Sequence, residues 1–414
     1  MYSPKLFIVL GIALVFFVSG VLLKLSPLLF VSLPLMMYLI LFSAGCPRTE
    51  FTVEKGELPT RMLAGDSTAV TLSVRLSEDA VPHFMEIRDT VNTGPDAYFI
   101  VKGEPSLFLQ YERRVKRGFL EVGPTTIHTH NFSRTVFFTA ECPDTASVTI
   151  LPRVHPVRVG LSPRFTTSFH GAIPSHRAGI GEEFYALRNY LPGDEFRMVN
   201  WKATARRGVL ITNEFEAERV SEVIIVIDAS KHTGIGEVRS LLDYELDAAA
   251  SIARVLLAQG HRVGAFIYSD YFHWISPGTT HRHFVKMLDV FAAISPAGFH
   301  RMQYAAAYVS AYARSGSQII IISPMEDPKA LDTVLDLRTA GLQVMVLSPS
   351  PESIEWQEID HNRYTIAARA LLQKERRLTF SQLNALCKAV DWNVSRPLED
   401  VLKKVEPWLR NRPR

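Results

Sequence analysis

The chain has three cysteines in 414 residues, Cys46, Cys142 and Cys387. They are too few and too scattered for a disulfide framework or a zinc finger, and nothing in them demands an oxidising compartment. An excess of one charge is also missing. Lys plus Arg number 45 and Asp plus Glu 42, a formal net charge of +3, whereas a dedicated nucleic-acid binder carries a clear basic excess. No internal repeat, collagen period or low-complexity run occurs. With 47% apolar and 21% charged residues the composition is that of a globular protein, not a disordered one. Three common enzyme motifs are absent as well: G-x-S-x-G, H-E-x-x-H and the P-loop G-x-x-x-x-G-K-[S/T]. The length allows two or three domains.

What is present begins at the N-terminus. Leu6 to Leu23 and Leu25 to Gly45 are uncharged runs of 18 and 21 residues, separated only by Lys24. As helices they would be roughly 27 to 32 Å long, about a bilayer core. Two such segments in tandem read as a transmembrane helical hairpin (about 6–23 and 25–45, within a segment 1–48) and argue against a cleaved signal peptide. Lys5 precedes the first span, Arg48 and Lys55 follow the second, and only Lys24 lies between. The positive-inside rule then puts both ends and the soluble remainder in the cytoplasm, anchored to the plasma membrane. The sequons at Asn131 and Asn393 would matter only on the other side.

Residues 50–155 read as a small β-sandwich. Ser67 to Arg75 alternates with period two, as a half-buried strand does. Further strands are expected at Ala97 to Val101, Ser106 to Arg113, Gly118 to Val122, Thr135 to Thr139 and Ser147 to Leu151, with Gly103, Gly118 and Gly123-Pro124 as turn residues. His128 and His130 would share a strand face, but no third metal ligand accompanies them.

A polar linker over 156–176 and a distinctive segment fill the stretch 156–219. From 220 to 414 the pattern becomes α/β. Glu222 to Asp228, Gln318 to Ser323 and Gly341 to Leu347 are near-continuous apolar runs, the mark of strands buried on both faces. Arg262 to Tyr268 is another strand, paired with Tyr271 to Ile275. Helices are expected at Leu241 to Gln259, His281 to Ile294, Gln303 to Arg314, Tyr364 to Glu375, Ser381 to Ala389 and Leu398 to Leu409, with a short strand near Trp392. This alternation implies a Rossmann-like parallel sheet covered on both faces. Cys387 would then lie inside a helix, as a core residue.

The segment Gly179 to Gly208 is the most informative. Pro192-Gly193 suits the centre of a type II turn, Asp194 suits the N-cap of a helix from Glu195 to Arg207, and Gly208 its left-handed C-terminal cap. Phe196, Val199 and Ala203 would share a helical face. Glu183, Arg188, Asp194, Arg197, Lys202 and Arg206 are interleaved with Phe184, Tyr185, Tyr190, Phe196 and Trp201. Such a mixture makes a structural clasp or a recognition surface for a partner; a nucleic-acid groove from Lys202, Arg206 and Arg207 is disfavoured by the interleaved acids. The pattern G-x-E-F-x-x-L-R-x-Y-x-P-G-D-x-x-R-x-x-x-W-K-A-x-A-R, from Gly181 to Arg206, resembles the hallmark of the domain-of-unknown-function 58 family. Arg117-Gly118 with Gly123-Pro124 resembles that family's β-domain signature, although its Asp-Pro-Phe-Gly turn is replaced by His130-Asn-Phe-Ser133. The resemblance implies, for a prokaryotic chain of this kind, two spans, a β domain, a von Willebrand factor type A-like α/β domain and partnership with a MoxR-type AAA ATPase.

Type A-like domains often hold magnesium through a D-x-S-x-S loop, a threonine and a later aspartate. Here Asp228 and Ser230 match, His232 stands for the second serine, Ala297 to Arg301 offers no threonine, and Pro324 occupies the aspartate position. The expectation is therefore no resident cofactor, with Asp228 and Ser230 as a degenerate cation site at most. The function read from the sequence is a membrane-anchored, non-enzymatic scaffold with no small-molecule substrate and no nucleic acid. Two alternatives stand beside it. One is a cation-dependent, adhesion-type ligand binder. The other is a membrane-tethered enzyme built on Arg188, Asp194 and Lys202.

Overall fold

The structure, a computed structural model, describes residues 4–24, 26–43, 50–76, 82–130, 137–158, 178–216, 221–299 and 302–404. It forms two compact units, Met1–Leu151 and Pro152–Arg414. The first opens with helices α1 (Pro4–Leu22) and α2 (Ser26–Ser43), which pack against each other. Lys24 between them adopts φ 47°, the left-handed backbone that a tight reversal demands of a non-glycine residue at some cost. Within α1, Lys5–Leu22 has mean hydropathy 2.5 over 18 residues and is long and apolar enough to cross a membrane; the apolar stretch of α2 is shorter, Ser26–Tyr38. Pro34 sits inside α2 and removes one backbone donor there.

Nine strands follow among the described residues: β1 (Phe51–Lys55), β2 (Arg61–Leu63), β3 (Ser67–Leu76), β4 (Phe84–Val91), β5 (Ala97–Lys102), β6 (Ser106–Arg114), β7 (Gly118–His130), β8 (Phe137–Cys142) and β9 (Ala146–Leu151). They make a three-stranded sheet, β1-β3-β6, and a larger sheet, β2-β9-β7-β4-β5, with β8 also on β7. Val53, Leu72 and Val74 of the first share one apolar cluster with Met85, Ile87 and Ile127 of the second, so the sheets pack face to face. Gly123-Pro124 does not separate two strands, as expected; it lies inside β7, where the pairing with β4 shifts register between Asp89 and Val91. The bulge lets one long strand serve where the sequence promised a short one. Residues 131–136, including the start of the strand expected at Thr135, lie outside the described residues.

Strand β4 escaped the sequence reading because its inward row runs Met85, Ile87, Asp89, Val91, with a carboxylate where an apolar residue belongs. Asp89 is fully buried and fully used. Lys55 Nζ lies 3.2 Å from Oδ1, Thr125 donates to Oδ1 at 2.8 Å and Tyr111 donates to Oδ2 at 2.7 Å. Lys55 also donates to the Val122 carbonyl at 2.8 Å. Lys55 and Tyr111 belong to one sheet, Asp89 and Thr125 to the other, so this network pins the sandwich. Burial and the Asp89 carboxylate push the Tyr111 hydroxyl well above its usual range. Asp89→Ala strands the buried Lys55 ammonium, and it is expected to destabilise the β unit by about 3–5 kcal/mol in urea unfolding of the detergent-solubilised chain. A loss below about 1 kcal/mol, the size of a surface ion pair, would contradict that role.

The second unit carries a two-stranded antiparallel sheet, β10 (Ala178–Asn189) and β11 (Ile211–Glu216), with helix α3 (Trp201–Arg207) between them in sequence. Its large sheet comes from β12 (Glu222–Asp228), α4 (Leu241–Ala258), β13 (Arg262–Tyr268), β14 (Phe272–Gly278), α5 (His281–Ala293), α6 (Met302–Tyr312), β15 (Gln318–Ile322), α7 (Ala330–Thr339), β16 (Gln343–Pro349), α8 (Pro351–Glu358), α9 (Arg363–Leu386), β17 (Lys388–Trp392) and α10 (Leu398–Lys403). The strand order is β14-β13-β12-β15-β16-β17, all parallel except the edge strand β14. Every residue of β12 and β15 is buried, as their unbroken apolar runs require. Side chains of α6, α7 and α9 join Ile224, Val226, Phe266, Ile319 and Ile321 in one core. Helix α4 starts on a Ser240/Asp243 capping box and packs on β12 and β13.

Two expectations need correction here. Tyr364 to Glu375 and Ser381 to Ala389 are one 24-residue helix, α9; no Pro or Gly interrupts it, and Phe380 and Leu383 bury together from its later turns. Cys387 is consequently the cap residue after α9, not a helix-interior residue. Burial pushes its thiol up to about 11, which leaves it protonated and unreactive. Most of the linker expected at 156–176 and the end of the last helix, beyond 404, lie outside the described residues.

Candidate functional site at the sheet edge and the hallmark segment

In the hallmark segment, Asp194 N–H donates to the Leu191 carbonyl at 3.0 Å and Gly193 has φ 109°, so Pro192-Gly193 forms the expected type II turn. Asp194 does not cap a helix. Its carboxylate faces back across the turn, accepts the Leu191 N–H at 2.9 Å, and receives both Arg188 terminal nitrogens at 2.6 and 2.7 Å. Arg188 Nε meanwhile donates to Glu214 at 2.9 Å. One guanidinium thus ties the turn, β10 and β11 together. The expected helix 195–207 begins later: a 3₁₀ turn spans Phe196–Met198, and α3 starts at Trp201 with Asn200 as its N-cap, accepting from Ala203 N–H at 3.0 Å. Because the chain bends at Val199, Val199 is buried while Phe196 is 64% exposed. They do not share a face with Ala203. Gly208 takes the left-handed cap at φ 69°, as expected.

The hallmark residues therefore part into two groups. Arg188 and Asp194 are joined inside the module, and Tyr190 stacks on Phe196 with ring centres 5.6 Å apart. Among the described residues Arg197 pairs with its exposed neighbour Glu195 alone. Trp201, Lys202 and Arg206 stand on the surface. Glu183 lies on β10, and its side chain is outside the described part.

The C-terminal edge of the large sheet is where ligand crevices of such folds form. Asp228 ends β12 there, buried. Its Oδ1 accepts the Ser230 N–H at 3.0 Å and its Oδ2 the Ser323 hydroxyl at 3.0 Å. Glu245 of α4 is fully buried, among the described residues neither of its oxygens nor Ser230 Oγ has a hydrogen-bond partner, and burial, reinforced by the Asp228 charge, raises its carboxyl well above the usual range. Glu245 was not singled out in the sequence, since a lone glutamate in an apolar helix gives no pattern. Among the described residues no three His, Cys, Asp or Glu side chains gather to hold a metal. Asp228 and Ser230, even with Glu245 beside them, fall short of a magnesium shell of their own. His128 bonds Thr139 at 2.9 Å, while His130 lies 3.5 Å from Glu86 and neither of its ring nitrogens has a hydrogen-bond partner among the described residues.

Beside that edge lies a cavity of about 530 Å3 between the loop after β15, α8 and α9. Met325, Leu331, Leu372 and Phe380 give it apolar walls, and Glu326, Glu352, Glu355 and Glu375 line it with carboxylates. Glu352 is held by Arg369 and Gln373. No described residue donates a hydrogen bond to the carboxylates of Glu326, Glu355 or Glu375. Burial, then Glu326, Glu358 and Glu352, push the Glu355 carboxyl up. Met325 holds φ 59°, a backbone strained for a side chain of that size. Arg376 fixes the cavity's base: it donates to the Pro324 carbonyl at 2.9 Å, to Ser348 Oγ at 2.9 Å and to Asp391 at 2.8 Å, binding the ends of three neighbouring strands. Sequence reading missed this cavity because its carboxylates come from three separate elements.

Residues 186–352 match the family model described as "Protein of unknown function DUF58". Over 255 residues, 57% of the chain, it is 26% identical to the "Uncharacterized protein YeaD" of Bacillus subtilis (strain 168), and the match spans 60% of that relative's length. Among solved structures, 25% of the chain resembles 89% of the CARDB domain of the PF1109 protein from Pyrococcus furiosus, at 12% identity and TM-score 0.19. The same share resembles 16% of a β-glucosidase from Listeria innocua, at 12% identity and TM-score 0.15. Likenesses that slight carry no argument.

The Arg188 bridge has a pH signature. Its hydrogen bonds, then that from Leu191, hold the Asp194 carboxyl down to about 2, against about 3.9 in an unfolded chain. A lowered folded value stabilises above pH ~4 and is lost as pH falls towards ~2. The difference in melting temperature between the natural chain and Arg188→Gln is expected to shrink across that window. A difference constant from pH 5 to pH 2 would contradict the bridge.

Proposed function

We propose that the chain, whose residues 186–352 are a DUF58-family region, is a membrane-anchored docking protein with no chemistry of its own. Helices α1 and α2 serve as a two-span hairpin in the plasma membrane. Lys5 before them, Arg48 and Lys55 after them and Lys24 alone between favour cytoplasmic soluble units by the positive-inside rule. The observation that carries the docking role is the acid-lined cavity at the C-terminal sheet edge. Three carboxylates without hydrogen-bond donors, on apolar walls, suit a basic side chain presented on a partner's surface. The family resemblance names that partner as a MoxR-type AAA ATPase, and the α/β unit as von Willebrand factor type A-like. The tethered-enzyme alternative gains no support: Arg188 and Asp194 are occupied with each other, and Lys202 stands apart on the surface.

The docking reading is tested by capture of the tagged full chain from its own host in mild detergent, with ATP or ADP, read by mass spectrometry. A nucleotide-responsive ATPase is expected to co-purify, and Glu326→Lys with Glu355→Lys is expected to lower its yield at least about tenfold, the loss of roughly 1.4 kcal/mol. An ATPase retained at full yield by the double variant would refute the cavity as its seat.

Cation-dependent ligand binding is the second reading, favoured by the buried oxygens of Ser230 and Glu245 that no hydrogen bond uses. A ligand would have to complete the shell around Asp228. On this reading magnesium raises the melting temperature and Asp228→Ala abolishes the rise; the absence of any magnesium effect retires it.

A further inference from the structure

The exposed half of the hallmark segment remains to be explained. Its apolar side chains face water in unusual density. Leu191 is 58% exposed, Phe196 64%, Trp201 63% and Val209 52%, with Leu210 next to it also exposed. Backbone bonds bring the stretches that carry them together: Asn200 N–H, just before Trp201, bonds the Ile211 carbonyl at 2.8 Å. Tyr190 N–H bonds the Leu210 carbonyl at 2.9 Å, its ring stacks on Phe196, and Val209-Leu210 continue directly from the Gly208 cap of α3. Several exposed large apolar side chains on one small module, with charges among them, mark a contact site.

Among the described residues, the charges beside this surface that lack an ion-pair partner are all of one sign. On α3 the outward positions are Trp201, Lys202, Ala205, Arg206 and Arg207, because Ala203 and Thr204 turn inward and Thr204 Oγ1 accepts from Ile211 N–H at 3.0 Å. Lys202, Arg206 and Arg207 have no acidic partner among the described residues. The nearby acids are consumed: Asp194 and Glu214 by Arg188, Glu195 by Arg197. A tryptophan and aliphatic tips set among uncompensated cations is the pattern of a segment that lies in the interface of an anionic bilayer. There the cations meet lipid phosphates and the indole sits at headgroup depth.

We propose that this face of the hallmark module, centred on Trp201, Lys202 and Arg206, docks on the anionic lipid surface of the membrane. An acidic protein would satisfy the cations too. The bilayer is favoured because the same chain carries a helix apolar enough to cross it, and because tips projecting from a turn, a seven-residue helix and a strand edge suit a fluid interface that needs no matching groove. The inference shares the anchor with the reading above and is independent of the partner.

The test uses the full chain reconstituted in vesicles of phosphatidylcholine, alone or mixed with phosphatidylglycerol, with brominated acyl chains as the quencher. The chain has five tryptophans, so the Trp201 signal is taken as the difference between the natural chain and Trp201→Phe. That signal is expected to be quenched in the anionic vesicles and much less in the neutral ones. Each of Lys202→Gln, Arg206→Gln and Arg207→Gln is expected to lower the docked-to-undocked ratio about fivefold, and added salt to do the same. Unchanged melting temperatures identify variants that fold. A Trp201 signal that escapes quenching in anionic vesicles overturns the proposal, as does quenching indifferent to lipid charge. Shielding of Trp201 by added polyglutamate but not by lipid assigns the face to an acidic protein and overturns it equally. Failure of the chain to enter vesicles at all would instead refute the anchor.

Discussion

Arg188 decides what the hallmark segment can do. Its guanidinium holds Asp194 with two hydrogen bonds and Glu214 with a third, so both nearby carboxylates are neutralised inside the module. A partly exposed ion pair adds little stability by itself. The planar two-ended geometry adds direction: it fixes the turn at Pro192-Gly193 against β10 and β11, and sets where α3 begins. Lys202, Arg206 and Arg207 have no acidic partner among the described residues, so the surface they occupy with Trp201 is cationic.

The α/β unit repeats the device with the opposite outcome. Arg376 bonds groups at the ends of β15, β16 and β17, so the cavity above it has a fixed base. Its cationic capacity is used on Asp391 and backbone carbonyls, and the carboxylates of Glu326, Glu355 and Glu375 face the cavity without compensation. Strands buried on both faces supply the rigid platform. Two internal arginines thus leave one acidic and one basic surface on the same unit, each without the pairing that would make it purely structural.

How far the sequence carried this picture follows from the physics of each element. The strands β12, β13, β15 and β16 were legible because a run such as Glu222 to Asp228 has one stable use, a position between two helical layers. Gly208 and Pro192-Gly193 were legible because their backbone demands are local. Strand β4 was hidden by Asp89, whose partners Lys55, Tyr111 and Thr125 lie on three other strands. The start of α3 was misplaced because Asp194, a good cap in isolation, is drawn to Arg188. The acid-lined cavity left no sequence signal, since its residues meet only after α8 and α9 fold over the sheet edge. Asp228 and Ser230 were legible as a pair, while the buried Glu245 beside them carried no motif.

The proposed docking role puts a partner protein in the acidic sheet edge. Photo-cross-linking from inside the cavity tests it most directly, with a photoreactive amino acid at position 355 of the full chain in its host membrane and a control at Leu335, exposed on α7. With a docked partner, position 355 gives a protein adduct that contains an AAA ATPase, changes with nucleotide state and is absent from position 335. Identical adducts from both positions, or none from 355 in either nucleotide state, would contradict it.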